Sequence, residues 1–279
     1  MRVWFITGAS RGFGALIAAE ALSQGDAVVA TARDPAAVTA RLGHHERLLA
    51  TRLDVTKEEQ AHEAAGLAVK TFGRIDVLVN NAGYGLLGAV EEASAAEVER
   101  LYATNVFGLL AVTRAVLPHM RRQRTGHIIN VSSVGGYSGY PGWGVYGSTK
   151  FAVEGISEAL GAEVAPLGIH VTVVEPGFFR TDFLDDNSLV RTGLEINDYH
   201  ETVGKTRVHA ADANHAQPGD PAKLAKAFIQ LASATKPPTR LPLGSDTVAR
   251  IEAKHRHVET ELAAWRNLAT STDFTRASA

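Results

Sequence analysis

The chain of 279 residues contains no cysteine. That absence removes disulfides, thiolate nucleophiles and cysteine-ligated metals. Excess charge is also missing: 28 Lys and Arg stand against 30 Asp and Glu, a formal −2. Bulk electrostatics therefore give no reason for a nucleic acid or anionic membrane partner. No stretch of about 18 uncharged apolar residues spans the sequence. The opening "MRVWFITGAS" enters a strand-like run without the apolar core and cleavage site of a signal peptide. The expectation is a cytoplasmic protein with no membrane span and a small-molecule partner. Internal repeats and low-complexity tracts are absent as well. Eleven histidines invite a metal, but His44 and His45 sit in a polar connection. His255 and His257 are two apart on a helix and face different ways. No metal site is expected. "RRQR" at 121–124 ends a helix, where cations complement the dipole, so it needs no nucleic acid.

What the chain has is alternation. "VWFIT", "AVVATA", "RLLATRLDV", "IDVLVNN", "GHIINVSS" and "HVTVVEP" read as short apolar strands, with amphipathic segments between them. Repeated βαβ units predict an α/β fold, a doubly wound parallel sheet of about seven strands with helices on both faces. One domain over 1–279 is expected. It carries a polar, weakly periodic insertion at about 183–219 and a C-terminal helix at about 245–268, after a last short strand in "PPTRLPLG". Helix starts carry capping chemistry at Thr56 with Glu59, Ser94 with Glu97, Asp34 before Pro35 and Asp220 before Pro221. Val248, Ile251, Val258, Leu262 and Trp265 form one stripe on the last helix, interrupted by His255, which fits a packing or oligomer surface.

The first strand runs into "TGASRGFG". Gly8, Gly12 and Gly14 there permit a tight turn and let backbone N–H groups meet a pyrophosphate at a helix N-terminus. The spacing is G-x-x-x-G-x-G, and no Gly-Lys-Ser/Thr phosphate-transfer ending follows. At the second strand end, where a carboxylate would hold a ribose 2′-hydroxyl, the chain has Ala32 and Arg33; Asp34 reads as a helix cap. Guanidinium groups at Arg33 and Arg11 would welcome a 2′-phosphate, so NADP(H) is expected over NAD(H).

"YGSTK" at 146–150 puts a phenol and an ammonium four residues apart, on one helix face if the segment through "FAVEGISEALGAEV" is helical. A nearby cation would lower the phenol pKa. Tyr-x-x-x-Lys also arises on amphipathic helices with no chemistry, so the pair needs context.

That context is an ordered set of matches: "TGASRGFG", Asp54 in "LDVT", "NNAG" at 80–83, Asn105 in "ATNVFG", Ser133 in "NVSS", Tyr146 and Lys150, and "PG" at 176–177. Over residues 3 to about 183 the chain resembles the short-chain dehydrogenase/reductase family. The resemblance implies an oxidoreductase with four catalytic residues. Tyr146 is the general acid or base, Ser133 polarises the substrate oxygen, Lys150 tunes the tyrosine and holds the nicotinamide ribose, and Asn105 keeps a relay water. It implies cofactor contacts from Gly8, Ser10, Arg11, Gly12, Phe13, Gly14 and Arg33. Asp54 and Val55 would lie by the adenine, followed by Asn81, Ala82 and Gly83, and Tyr146 and Lys150 again. Pro176, Gly177 and Thr181 would lie at the nicotinamide end. Asn80 is assigned to holding neighbouring strands and the cofactor loop together. A homodimer or homotetramer is implied, with the Asn105 and Tyr146 helices as interface candidates.

Around the reactive oxygen stand Val134 to Trp143, Phe178, Phe179 and the insertion from Phe183. This apolar, aromatic surround suits a bulky hydrophobic carbonyl or alcohol. "SSVGGYSGYPGWGVYGSTKFAVEGISEAL" is similar to the steroid and retinol dehydrogenase branch. Two alternatives stay open: a non-catalytic dinucleotide-binding regulator on the same fold, and an extended-branch epimerase or dehydratase. The second would need a longer substrate domain after "EPG".

Overall fold

The computed structural model describes residues 1–274; the last five positions of the expected 1–279 span lie outside them. Seven strands form the main sheet: β1 (Val3–Thr7), β2 (Ala27–Ala32), β3 (Leu48–Arg52), β4 (Val77–Asn80), β6 (Gly126–Val131), β7 (Ile169–Pro176) and β9 (Arg240–Leu243). Their order is β3-β2-β1-β4-β6-β7-β9, and every pairing is parallel. The order reverses direction between β1 and β4, which opens a crevice beyond their carboxyl ends.

Both sheet faces are covered, which is why the strands read as continuous apolar runs. On one face Trp4, Ile6 and Val28 pack under α1 (Gly12–Ser23) and α8 (Pro221–Ser233), with Phe228 fully buried. On the other face Phe5, Val29 and Leu78 meet α3 (Glu58–Phe72), α5 (Leu109–Gln123) and the end of α6 (Gly144–Val164). Alternate residues of β1 thus serve opposite cores, as strand geometry requires. β9 is an edge strand, where Pro242 costs no ladder bond to an outer neighbour.

The expected caps form at three of four helix starts. Asp34 accepts from Ala36 N before α2 (Pro35–Leu42), and Asp220 accepts from Ala222 N before α8. Ser94 and Glu97 close a capping box on α4 (Ala95–Tyr102). The fourth is corrected: Lys57, without a side-chain bond, is the N-cap of α3. Asp54 Oδ1 accepts from both the Thr56 hydroxyl, at 2.7 Å, and the Thr56 amide, at 3.0 Å, so Thr56 faces away from the helix. Between α4 and α5 the helix widens into a π turn over Ala103–Gly108. The continuous helix Ala95–Gln123 has the length and hydropathy of a membrane span, but 56% of its most apolar stretch is buried in the fold. It packs on α3 and the sheet as a core helix.

The segment after β7 is more regular than its sequence. β8 (Leu189–Arg191) pairs in parallel with β5 (Gly85–Leu87) as a separate two-stranded sheet, and α7 (Lys205–Asp212) follows a π turn. Three-residue strands are too short to show a period of two. The last helix, α9 (Ser245–Thr270), leaves Val248, Val258, Leu262 and Trp265 exposed.

Candidate active site

The turn after β1 is dictated by close approach. Gly8 (φ 65°) and Gly12 (φ 54°) have left-handed backbones. At Gly14 an added Cβ would overlap the Gly8 carbonyl oxygen and lie 2.7 Å from Asn81 Nδ2. Asn81 stitches this turn to the end of β4: its amide donates to Thr7 Oγ1 at 3.0 Å, and its side chain donates to Thr7 O at 2.9 Å and Gly8 O at 3.1 Å. Ala82 N also donates to Thr7 Oγ1. Asn80 does a different job, joining β4 to Asn130 of β6 at 2.9 Å and to Thr113 at 3.0 Å. The strand-holding half of its expected role therefore falls to Asn80 and the loop-holding half to Asn81. α1 opens with no acidic residue in its first turn and no side-chain cap. Its N–H groups and the glycine turn make a cradle that fits a pyrophosphate.

The flanking positions divide. Arg33 is exposed at the end of β2. Arg11 turns toward the insertion, donating from Nη2 to Asn187 O at 2.5 Å. Ser10 is half-buried. Phe13 meets Phe179 edge-on at 5.6 Å. Val55 is buried against Gly108, whose added Cβ would lie 2.6 Å from it, while Asp54 holds Thr56. At the end of β7, Pro176 is buried, and Gly177 abuts the Asp246 carboxylate so closely that an added Cβ would overlap it unless that side chain moved. Asp246 then accepts from Phe178 N at 2.8 Å. Thr181 is half-buried, with no capping bond.

The first two turns of α6 carry the reactive pair. Tyr146 and Lys150 are both buried, and the Lys150 ammonium lies 5.8 Å from the Tyr146 ring centroid. Lys150 Nζ donates to Val131 O at 2.9 Å. Burial pushes the Tyr146 phenol up to about 12, with the Ser133 hydroxyl pulling against it. Burial pushes Lys150 down to about 8, with Glu154 opposing. The expected lowering of the phenol by Lys150 is not what this arrangement gives: the cation is committed to a strand-end carbonyl, and dehydration dominates. Ser133, in extended backbone, accepts from Gly135 N at 3.0 Å. Asn105, in the π turn, is buried; Oδ1 accepts from Tyr84 N at 3.1 Å, and Nδ2 donates to Tyr84 O at 3.0 Å and Thr149 Oγ1 at 3.2 Å. A Cβ on Gly83 would sit 3.1 Å from Asn105 Oδ1 and 3.8 Å from Lys150 Nζ. The "NNAG" turn, the π turn and α6 therefore converge on one point.

Around that point the walls are apolar. Tyr146 contacts Trp143 at 5.7 Å and Phe183 at 5.8 Å between ring centroids. Leu86, Leu101, Tyr84 and Val145 complete one cluster, and Leu87, Leu184 and Leu189 a second. Among the described residues Asp182, Asp185 and His215 are the one group with metal-ligand spacing. Its contacts are local: Asp185 Oδ1 lies 3.1 Å from His215 Nε2 and accepts from Asn214 at 2.6 Å.

Residues 2–190 match the family model described as short chain dehydrogenase. The chain belongs to the short-chain dehydrogenase family. Members similar to it include the oxidoreductase BOA17 of Botryotinia fuckeliana, 41% identical over 88% of this chain and 90% of the relative. The 3-ketodihydrosphingosine reductase of Bacteroides thetaiotaomicron is 38% identical over 87% and 88%. A short-chain dehydrogenase structure from Streptomyces avermitilis superposes with a TM-score of 0.90 at 40% identity, covering 98% of this chain and 100% of that one. Other solved neighbours carry NADP+ or NADH. As a short-chain dehydrogenase the chain is an oxidoreductase of a family that acts on small molecules with a nicotinamide nucleotide.

Sequence reasoning missed the residues that hold the walls of this short-chain dehydrogenase. The Glu92 side chain is fully buried and accepts from Ala89 N at 2.7 Å, Ile196 N at 2.8 Å and Arg207 Nη2 at 2.5 Å. Burial pushes its carboxyl up, but these donors together hold it below the usual range. Glu97 accepts from Gly193 N at 3.1 Å and Glu91 from Tyr199 at 2.5 Å. Partners about a hundred residues away leave no local signal.

Proposed function

We propose that the protein is an NADP(H)-dependent reductase of bulky, hydrophobic ketones or aldehydes, working reversibly on the corresponding alcohols. The observation that carries this reading is the convergence of Tyr146, Ser133, Lys150 and Asn105 against an aromatic wall of Trp143 and Phe183. The nucleotide would be held by the glycine turn and the α1 N-terminus, by Val55 and the "NNAG" turn, and by Lys150, and when bound it supplies the hydride. A substrate carbonyl oxygen then receives its proton from the Tyr146 hydroxyl, with the Ser133 hydroxyl as second donor. A phenol raised by burial is fully protonated at neutral pH, which suits the reductive direction. Lys150 holds charge beside the ring, and Asn105 fixes the Tyr84 backbone across the site. Arg33, exposed at the β2 end with no carboxylate at Ala32, supports a preference for a 2′-phosphate.

The apolar walls favour an oxygen carried on a large hydrophobic body, and one relative is named for reducing a ketone, 3-ketodihydrosphingosine. The intact Tyr146–Lys150 arrangement argues against a non-catalytic regulator. The test is consumption of NADPH and NADH against long-chain, steroid, aryl and short polar carbonyls. NADPH oxidation with the large apolar members supports the reading. Turnover confined to small polar carbonyls would overturn the substrate class, and tight cofactor binding with no turnover would favour the regulator.

A further inference from the structure

One turn behind Lys150 lies a second ionisable cluster that the reaction does not touch. Glu154 follows Lys150 by four residues on α6, on the same face. Its side chain is 6% exposed, and that of Glu175 in β7 is 1% exposed. One guanidinium serves both: Arg240 Nε of the edge strand lies 3.0 Å from Glu154 Oε2 and 3.8 Å from Glu175 Oε1, while its Nη2 lies 2.7 Å from Glu158 Oε2. Three carboxylates thus share one cation, and two of them are inside the fold. As carboxylates, Glu154 Oε1 and both oxygens of Glu175 have no hydrogen-bond donor. The Ser132 hydroxyl beside Glu154 makes no bond of ordinary geometry either.

A buried carboxylate oxygen without a donor is costly, and two adjacent buried carboxylates cannot both ionise cheaply. A single proton eases both faults: it gives Glu175 an O–H to donate to Glu154, leaving one Glu175 oxygen without a donor, and removes one negative charge.

We propose that Glu154 and Glu175 share one proton behind Lys150, and that the charge left on Glu154 is a positioning charge that keeps the Lys150 ammonium protonated in its dehydrated site. The proposal rests on the reading of Tyr146 and Lys150 given above. The groups facing the pair are Lys150 and Glu158 from α6, Ser132 from the end of β6, and Arg240 from β9. Burial first, then the Glu154 charge, pushes Glu175 up to about 7, while Ser132 and Arg240 hold Glu154 closer to ionisation against its own burial. The two titrate as a unit.

A merely structural clamp between α6, β7 and β9 would leave Lys150's proton where it is. The test is a heteronuclear NMR titration of the lysine side chains in the cofactor-free protein, the Lys150 signal being the one lost in Lys150→Arg. Glu154→Gln should lower the Lys150 midpoint by about one pH unit, and Glu154→Asp, which keeps the charge, should restore most of it. Glu175→Gln, neutral and able to donate, should move it by no more than a few tenths. An unchanged midpoint in Glu154→Gln, or an equal drop in Glu175→Gln, overturns the assignment. Infrared spectroscopy of the unmodified protein at neutral pH adds a readout that needs no foldable Glu154 variant. A protonated carboxyl band that disappears in Glu175→Gln supports the shared proton, and its absence from the unmodified protein refutes it. Neither measurement needs a substrate, so failure of every carbonyl in the activity panel, which would sink the functional reading, is told apart from failure of this assignment.

Discussion

Between Thr7 and Gly14 the chain is held by its own turn and by Asn81 of the neighbouring strand end. Between Phe183 and Asp212 it is held by Glu91, Glu92 and Glu97, carboxylates about a hundred residues earlier. The two regions touch where Arg11 Nη2 donates to Asn187 O, one offering a glycine cradle and the other, through Phe183, an aromatic wall against Tyr146. The difference is one of tolerance. At Gly14 of the cradle, backbone approach leaves no room for a methyl group; the wall depends on a few buried charge-assisted bonds, and its apolar lining can be exchanged while those bonds persist. On this account the cradle sets whether the cofactor binds, and the latched wall sets which substrate is accepted.

Of changes within these two regions, breaking the cradle should have the largest effect. Gly14→Ala pushes a methyl into the Gly8 carbonyl, an overpacking of about 3 kcal/mol, or roughly 100-fold in NADPH Kd, read by fluorescence titration. A change of less than threefold would show that the turn is softer than its geometry. Arg33→Ala sharpens the same side: loss of a charge-assisted contact should weaken NADPH binding by roughly tenfold or more and leave NADH nearly unchanged. Equal losses would remove Arg33 from the 2′-phosphate site. Glu92→Gln probes the wall, since it removes the charge that Arg207, Ile196 N and Ala89 N share. KM for a bulky ketone should rise by about tenfold, while NADPH Kd and kcat change by no more than about twofold. A fall in kcat with KM intact would place the insertion in the chemistry.

The same division decides what can be read from the sequence. The sheet, its helical layers and three of the four caps are legible because they follow from spacing within about fifteen residues. The converging site is legible only through ordered motifs whose strands the fold then brings together; no single one of Gly83, Asn105 or Lys150 announces its neighbour. Thr56 fails as a cap because α3 starts one residue too late, with Lys57 at its N-cap, and the Thr56 hydroxyl donates to Asp54 instead. The β5–β8 ribbon and the Glu92 latch are not legible, since each depends on a partner more than a hundred residues away. The phenol's direction is also hidden: spacing puts Lys150 near Tyr146, but burial and the Val131 carbonyl decide the outcome.

The most direct measurement is steady-state reduction of a long-chain or aryl ketone by the unmodified protein and Tyr146→Phe, with NADPH Kd measured on both. The account predicts a fall of about 10³-fold in kcat with cofactor affinity unchanged, the loss expected for one general acid. Comparable turnover in Tyr146→Phe would contradict it.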